Sequence, residues 1–114
     1  MALNRGRLTN NVIAVPSGTT TGIVTVANNK KIYVKSIMVH NTSGVTTAQS
    51  AIHYVANGES VGAGTSLFNL TVEPNETIFV EPNYPIVLTT TGDGMSVTST
   101  DATTNYFFTG DVEV

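Results

Sequence analysis

The sequence predicts an all-β fold, a two-sheet antiparallel β-sandwich of the jelly-roll kind with eight or nine strands. Three observations predict it. Val and Thr are abundant, and these β-branched residues favour strands over helices. No stretch of ten or more residues repeats its apolar positions with the 3.6-residue period of an amphipathic helix. Short apolar runs instead alternate with turn residues about every 8–12 positions, which is typical of sandwiches and barrels.

The individual strands follow from apolar alternation between the turn residues. Residues 28–30 and 92–94 are predicted to be hairpin turns, because Asn and Gly adopt positive φ at low cost. Residues 31–41 carry apolar side chains on both faces, which predicts a central strand with cover on each side. The strands expected in chain order are 11–15, 20–27, 31–41, 49–56, 66–72, 77–80, 85–90, 95–100 and 105–114.

One domain accounts for most of the chain. Residues 1–10 are polar, contain both arginines and lack periodicity, so we interpret them as an N-terminal arm that precedes a single sandwich domain at 11–114. An immunoglobulin-like sandwich is the alternative topology, but the chain has neither the Trp nor the Cys pair of that fold. The side chains expected in the core are Ile37, Val39, Leu70, Leu88 and Phe107.

The charge balance argues against several classes of partner. Charged residues make up 11% of the chain, and the formal net charge is −3. Because a nucleic-acid surface needs clustered Lys and Arg, we expect no nucleic-acid partner. The sequence has no apolar run of membrane-spanning length, so we expect no membrane partner either. Its first residues lack the apolar segment of a signal peptide, and we expect the protein to stay in the cytoplasm of the cell that makes it.

No arrangement of residues predicts catalysis. The chain has no Cys and no Gly-x-Ser-x-Gly motif to present a nucleophile. Glu73, Glu76 and Glu81 could act as paired glycosidase carboxylates, but they border Pro-Asn turns, where we interpret them as solvated. We therefore expect that the protein is not an enzyme.

Two pairs of residues could act as metal ligands: His40 with His53, and Asp93 with Asp101. His40 and His53 could face each other across a hairpin, but no carboxylate lies at ligand spacing beside them, and we interpret both as ordinary strand residues. Asp93 and Asp101 lack the dense ligand spacing of a calcium loop, so we interpret Asp93 as a turn residue. The sequence predicts no metal and no other cofactor.

The surface of the predicted sandwich must consist largely of Thr, Ser and Asn. Low charge leaves few of the lysines that protect strand edges in monomers, so we expect self-association. A monomer with a neutral, hydroxylated surface is the alternative.

The arm holds the candidate partner contacts, Arg5 and Arg7. Residues 11–114 carry three Lys against eight acids, a formal charge of −5, whereas the arm is basic. The planar guanidinium pairs well with carboxylates, so we expect the arm to order on binding to a neighbouring subunit or to the acidic surface of a partner. A solvated leader is the alternative.

The strand at 31–41 and the turn after it carry a resemblance. Residues 31–44, KIYVKSIMVHNTSG, resemble the strand and Asn-Thr-Ser-Gly segment of small β-sandwich virion proteins of tailed bacteriophages. Residues 68–77, 86–88 and 92–97 look like the later strands of the same proteins.

The resemblance implies a structural part of the virion, with no catalytic residues to carry over. The function it favours is a capsid decoration (cement) protein that binds the major capsid protein, or another virion protein, as a homo-oligomer, here expected to be a trimer. A neck, tail or head-fibre component is the first alternative. A glycan- or receptor-binding β-sandwich module is the second.

Overall fold

The computed structural model describes residues 3–9, 11–100 and 103–113. These residues form ten β-strands and one turn of 3₁₀ helix, Ala63–Thr65. The predicted all-β sandwich is confirmed, and the tenth strand is β1, which lies inside the predicted arm. The strands are β1 Leu3–Arg7, β2 Ile13–Val15, β3 Thr20–Thr25, β4 Lys31–Asn41, β5 Ala48–Val55, β6 Ser66–Val72, β7 Thr77–Val80, β8 Ile86–Leu88, β9 Gly94–Ser99 and β10 Thr104–Glu113.

The strands form two antiparallel sheets. Sheet A has the order β1-β10-β4-β7, with β2 also paired to β10 and β8 also paired to β4. Sheet B has the order β3-β9-β5-β6. Each edge of sheet A is therefore made of two short strands placed end to end, β1 with β2 on one side and β7 with β8 on the other.

The pairing pattern identifies a jelly roll. Strand β2 pairs with β10, β3 with β9, β4 with β7, and β5 with β6. These four pairs form one long hairpin, and successive pairs lie alternately in sheet A and sheet B, which is the eight-strand jelly-roll arrangement. The jelly-roll prediction is confirmed, and the topology differs from the immunoglobulin-like alternative.

The core lies between the two sheets. Ile37, Val39 and Leu88 are fully buried there, as predicted, and Leu70 is half-buried against the same cluster. The prediction for Phe107 is wrong, because its neighbour Phe108 occupies the core and Phe107 lies on the outer face of sheet A.

A buried tyrosine hydroxyl fixes this register of β10. The Tyr106 hydroxyl hydrogen-bonds the Ser50 hydroxyl and donates to the carbonyl oxygen of Thr98 at 3.1 Å. Ser50 and Thr98 belong to sheet B, so Tyr106 links the two sheets. A buried hydroxyl is costly without such partners, and burial raises the pKa of the Tyr106 phenol.

Strand β4 changes face at a bulge. Val34 pairs with Gly110 and Ser36 pairs with Thr109, which leaves Lys35 as the extra residue. The bulge shifts the inward positions from even to odd numbers, so one regular alternation could not describe this strand. Strand β4 is central in sheet A, as predicted, but the predicted cover on its second face is absent from the described residues.

Both predicted hairpins are wrong, although both turns exist. Asn29 has φ 61° and Gly92 has φ 93°, as the turn chemistry requires. The strands that flank each turn lie in different sheets, β3 and β4 at the first and β8 and β9 at the second. The two turns therefore carry the chain across the sandwich.

Candidate interaction surfaces

An apolar row crosses the outer face of sheet A. Met38 lies opposite Phe107 on one side and opposite Phe79 on the other. Side chains opposite each other in antiparallel strands lie about 5 Å apart, so the three form one continuous surface across β10, β4 and β7. Phe79 is 63% exposed. We call Met38, Phe79 and Phe107 the aromatic row.

Further apolar side chains extend this surface along the β7–β8 edge. Val87 on β8 is 43% exposed and pairs with the half-buried Tyr33 of β4. Tyr84, in the connection between β7 and β8, is 85% exposed. Exposed apolar side chains grouped in this way mark interaction surfaces more often than scattered ones do.

Ion pairs occupy the same face of sheet A near the start of β4. Lys35 Nζ lies 2.7 Å from Asp111 Oδ2, and Arg5 Nε lies 3.8 Å from Asp111 Oδ1. Lys31 Nζ lies 3.7 Å from Glu113 Oε2. The two carboxylates are largely buried beneath the cations, whose side chains are about half exposed or more. The cations of this end of the face are therefore exposed to solvent; we call them the basic end: Arg5, Lys31 and Lys35.

Two exposed carboxylates lie at the opposite end of β4. Glu73 and Glu76 flank the turn between β6 and β7, and the Asn41 N–H donates to the Glu76 carbonyl oxygen at 3.0 Å. Glu76 Oε1 accepts from the Glu73 N–H at 2.9 Å, and Glu73 Oε2 accepts from the Thr47 hydroxyl at 3.2 Å. We call Glu73 and Glu76 the acidic end. Their exposed positions agree with the interpretation of solvated turn carboxylates.

The outer face of sheet B has a different chemistry. The row that corresponds to the aromatic row consists of Asn69, Ala51 and Thr98, paired across β6, β5 and β9. Ser96 on β9 and Thr71 on β6 continue the same face with further hydroxyls. In the described part of the chain this face offers mainly small polar side chains, with the exposed Leu67 on β6 and no exposed Phe or Tyr ring.

The candidate contacts Arg5 and Arg7 lie on β1, whose partner is β10. Arg5 contributes to the basic end and its side chain is 81% exposed, while Arg7 is also exposed. Strand β1 is already paired within the chain, which differs from an arm that orders only on binding. Both arginines remain accessible to a partner.

The two histidines lie in different sheets, His40 on β4 and His53 on β5. His40 Nδ1 is 2.8 Å from the Thr77 hydroxyl, and His53 Nδ1 is 3.0 Å from the Thr65 hydroxyl. They do not face each other across a hairpin. Across the described ranges, no three His, Asp or Glu side chains gather in a way that could hold a metal.

Asp93 acts as a turn residue. Its carboxylate accepts the N–H of Asn57 at 3.0 Å, the N–H of Thr90 at 3.1 Å and the Tyr54 hydroxyl at 3.2 Å. The Asn57 N–H is the main cause of a lowered Asp93 pKa, and burial opposes it. Burial and the neighbouring Asp93 raise the pKa of Tyr54. Asp101 lies outside the described residues.

The exposed Glu81 follows β7 directly and completes the set of candidate carboxylates. No helix in the described part of the chain is long and apolar enough to span a membrane.

Sequence reasoning missed the aromatic row. Each member is flanked by inward apolar residues, as Phe79 is by Ile78 and Val80, so each looks like part of a buried run. Strict alternation within Thr77–Val80 was the signal that could have placed Phe79 outside.

Comparison with known proteins supports the fold. No protein-family model matches the sequence, and no curated protein matches it. Among solved structures, the chain is similar to one from the crystal structure of the T13 IBDV viral particle, with a TM-score of 0.55 and 12% sequence identity. The match covers 97% of this chain and 30% of that one. At this identity the similarity shows a shared fold, and the resemblance to tailed-bacteriophage proteins stays a prediction.

Proposed function

We propose that the protein is a structural, non-catalytic component of a virion. In its specific form, the proposal is a capsid decoration protein of a tailed bacteriophage that binds the shell as a homo-oligomer, expected to be a trimer, and stabilises it. The partner is the major capsid protein or another virion protein, and assembly takes place in the host cytoplasm. Contacts across capsid subunit boundaries add stability by mass action, because they form only with the assembled shell.

The observation that carries the proposal is the jelly roll, which matches a chain from a viral particle over 97% of this chain's length. Fold alone does not assign a function, so the surface supplies the second argument. The described residues group exposed apolar and cationic side chains on one face, as a docking protein requires. The basic end, with Arg5 and nearby Arg7, gives that face groups suited to an acidic shell surface.

Copy number in purified virions tests the proposal. Particles of the virus that encodes the chain are analysed by quantitative mass spectrometry, with the major capsid protein as internal reference. A decoration protein is expected at a number that matches the lattice points of the shell. A few copies per particle would instead favour a neck, tail or head-fibre component.

Absence from the particle would overturn the proposal. Binding of the isolated protein to a glycan array, together with that absence, would favour the glycan- or receptor-binding module. Recombinant protein added to shells that lack it provides the stabilisation test, since a decoration protein raises the temperature at which the shells disrupt. Arg5→Ala with Arg7→Ala is expected to weaken this binding, and rising salt is expected to weaken the wild-type interaction.

A further inference from the structure

We infer that the free edge of β6 binds an extended segment of the major capsid protein as an added strand of sheet B. The inference rests on the proposed function and deepens it, since it names an edge of the sandwich and the form in which the partner is bound. The segment continues the order β3-β9-β5-β6 by one strand through backbone hydrogen bonds. Its alternate side chains cover the open side of the sandwich.

The hydrogen bonds of β5 show which of its residues face β6. The Thr100 N–H donates to the Gln49 carbonyl oxygen at 3.0 Å, and the Gln49 N–H donates to the Thr100 hydroxyl at 3.1 Å. Gln49 therefore directs both of its backbone groups to the β9 side of β5. Because this direction alternates between successive residues of a strand, Ser50 directs its backbone groups to β6.

The register of β5 and β6 then identifies the free backbone groups of β6. Leu70 lies opposite Ser50 and is hydrogen-bonded to it, whereas Thr71 lies opposite Gln49 and directs its N–H and carbonyl groups away from β5. Asn69 lies two residues before Thr71 and shares this direction. No other described strand pairs with β6. Two donors and two acceptors, at alternate residues, are thus available to an added strand.

The sandwich is also open between the edges formed by β6 and β7. Four apolar side chains of these strands pack against the core but are only half-buried: Phe68, Leu70, Ile78 and Val80. On the central strand β5, by contrast, the inward Ile52 is fully buried. A strand added to β6 places every second side chain over the open side. We therefore expect these side chains of the partner segment to be apolar.

The edge of β6 lacks the chemical features that prevent strand addition. Its seven residues, Ser66–Val72, include no charged residue and no Pro, both of which protect edge strands in other proteins. It is the longest edge strand in the described part of the chain. Its one irregularity, at Leu67, leaves residues 68–72 in regular register with β5.

The donor of the added strand is another protein and not a second copy. Every strand of the described chain already pairs within its own sandwich, and β1 pairs with β10 through five residues. The described chain therefore has no unpaired strand to donate. Pairing of β6 with β6 of a second copy is two-fold and gives even-numbered assemblies, which differ from the trimer of the proposed function.

Amide hydrogen exchange of the wild type is the first test. In the isolated protein the N–H groups of Asn69 and Thr71 are expected to exchange rapidly, and those of Ser50 and Leu70 slowly. When the protein is bound to shells, exchange at Asn69 and Thr71 is expected to slow by about tenfold or more. Mass spectrometry with residue resolution measures both states. Unchanged exchange at Asn69 and Thr71 in the bound state overturns the inference.

The second test removes one free donor. Thr71→Pro deletes an N–H that faces away from β5, a position at which an edge strand accepts Pro, so the fold is expected to survive. Its binding to shells that lack the protein is expected to weaken by about tenfold. Thr71→Ala is the matched control, because both variants lose the hydroxyl that donates to Gln49 Oε1 but only Ala keeps the N–H. The control is expected to bind as the wild type does.

The outcomes separate this inference from the proposed function. Thr71→Pro that folds and binds shells as tightly as Thr71→Ala overturns the inference and leaves the virion role intact. Protection of Asn69 and Thr71 that increases with the concentration of the isolated protein shows pairing with a second copy, and it also overturns the inference. Absence of the protein from virions, together with no binding to shells, rejects the proposed function and this inference together.

Discussion

On sheet A the central outward row consists of Phe79, Met38 and Phe107, while the corresponding row of sheet B consists of Asn69, Ala51 and Thr98. Both rows lie on central and edge strands of one sandwich, and both are backed by the same core. Only the row of sheet B is chemically suited to permanent contact with water. The difference shows that an overall composition rich in Thr and Ser is compatible with two outer faces of different chemistry.

The largest effect is expected when the two adjacent phenylalanines of β10, one on the inner and one on the outer face of sheet A, are each replaced. We expect Phe108→Ala to lower the free energy of unfolding by about 4 kcal/mol, because truncation of a buried Phe leaves a cavity. Phe107→Ala is expected to cost less than about 1 kcal/mol in dilute, monomeric protein, since its half-buried ring lies on the outer face, where truncation leaves no enclosed cavity. Urea unfolding measures both. Equal losses would show that our assignment of inner and outer faces is wrong.

The bulge on β4 offers the next test, because it decides which residues reach the outer face. A Cβ on Gly110 would overlap the carbonyl oxygen of Tyr33 on β4. We expect Gly110→Ala to destabilise the fold by about 3 kcal/mol, since backbone atoms must move to admit it. Gly64→Ala is the control, because a Cβ there meets no atom within 4 Å, and it is expected to change stability by less than about 0.5 kcal/mol.

A smaller effect is expected from the buried hydroxyl that joins the sheets. Tyr106→Phe leaves the Ser50 hydroxyl without its partner and is expected to cost about 1–2 kcal/mol. Tyr84→Phe removes the same oxygen from an 85% exposed ring and is expected to have no measurable effect. Thermal melting curves of the two variants, recorded under the same conditions as the wild type, measure both changes in stability. A change confined to Tyr84→Phe would contradict the inward orientation of Tyr106.

The smallest expected effect is a loss of stability in acid, which we assign to Asp93 in the turn between β8 and β9. The folded-state pKa of Asp93 lies below its ordinary value of 3.8. Its contribution to stability is therefore present above that value and is lost as the pH falls through the folded-state pKa. We expect the melting temperatures of wild type and Asp93→Asn to converge in acid. Glu59→Gln, a change at an exposed carboxylate, serves as control.

The fold was largely predictable because alternation and turn residues are local signals. All nine predicted strands correspond to β2–β10, and the jelly roll was anticipated. The pairing of the strands that flank residues 28–30 and 92–94 could not be predicted. Asn29 and Gly92 determine the local backbone angle of each turn, but they do not determine which distant strand each flanking strand pairs with. The choice between Phe107 and Phe108 depends on the Tyr106 hydroxyl, whose partners lie far away in the sequence.

The interaction surface was harder to predict than the fold. Arg5 and Arg7 could be identified as exposed cations from composition alone. The aromatic row depends on the register of three strands that are distant in sequence, and a bulge at Lys35 shifts that register. No single segment contains the pattern, so it becomes visible only when the strands are paired.

The divided edges of sheet A have a consequence for how far assembly can proceed. A long, regular edge strand can recruit identical strands without limit, which leads to fibres. Here β1 with β2 and β7 with β8 offer only short, interrupted backbone ladders, and β3 at an edge of sheet B is irregular between Gly22 and Val24. For the proposed decoration protein, which would be present in many copies on one shell, these edges limit open-ended polymerisation at high local concentration.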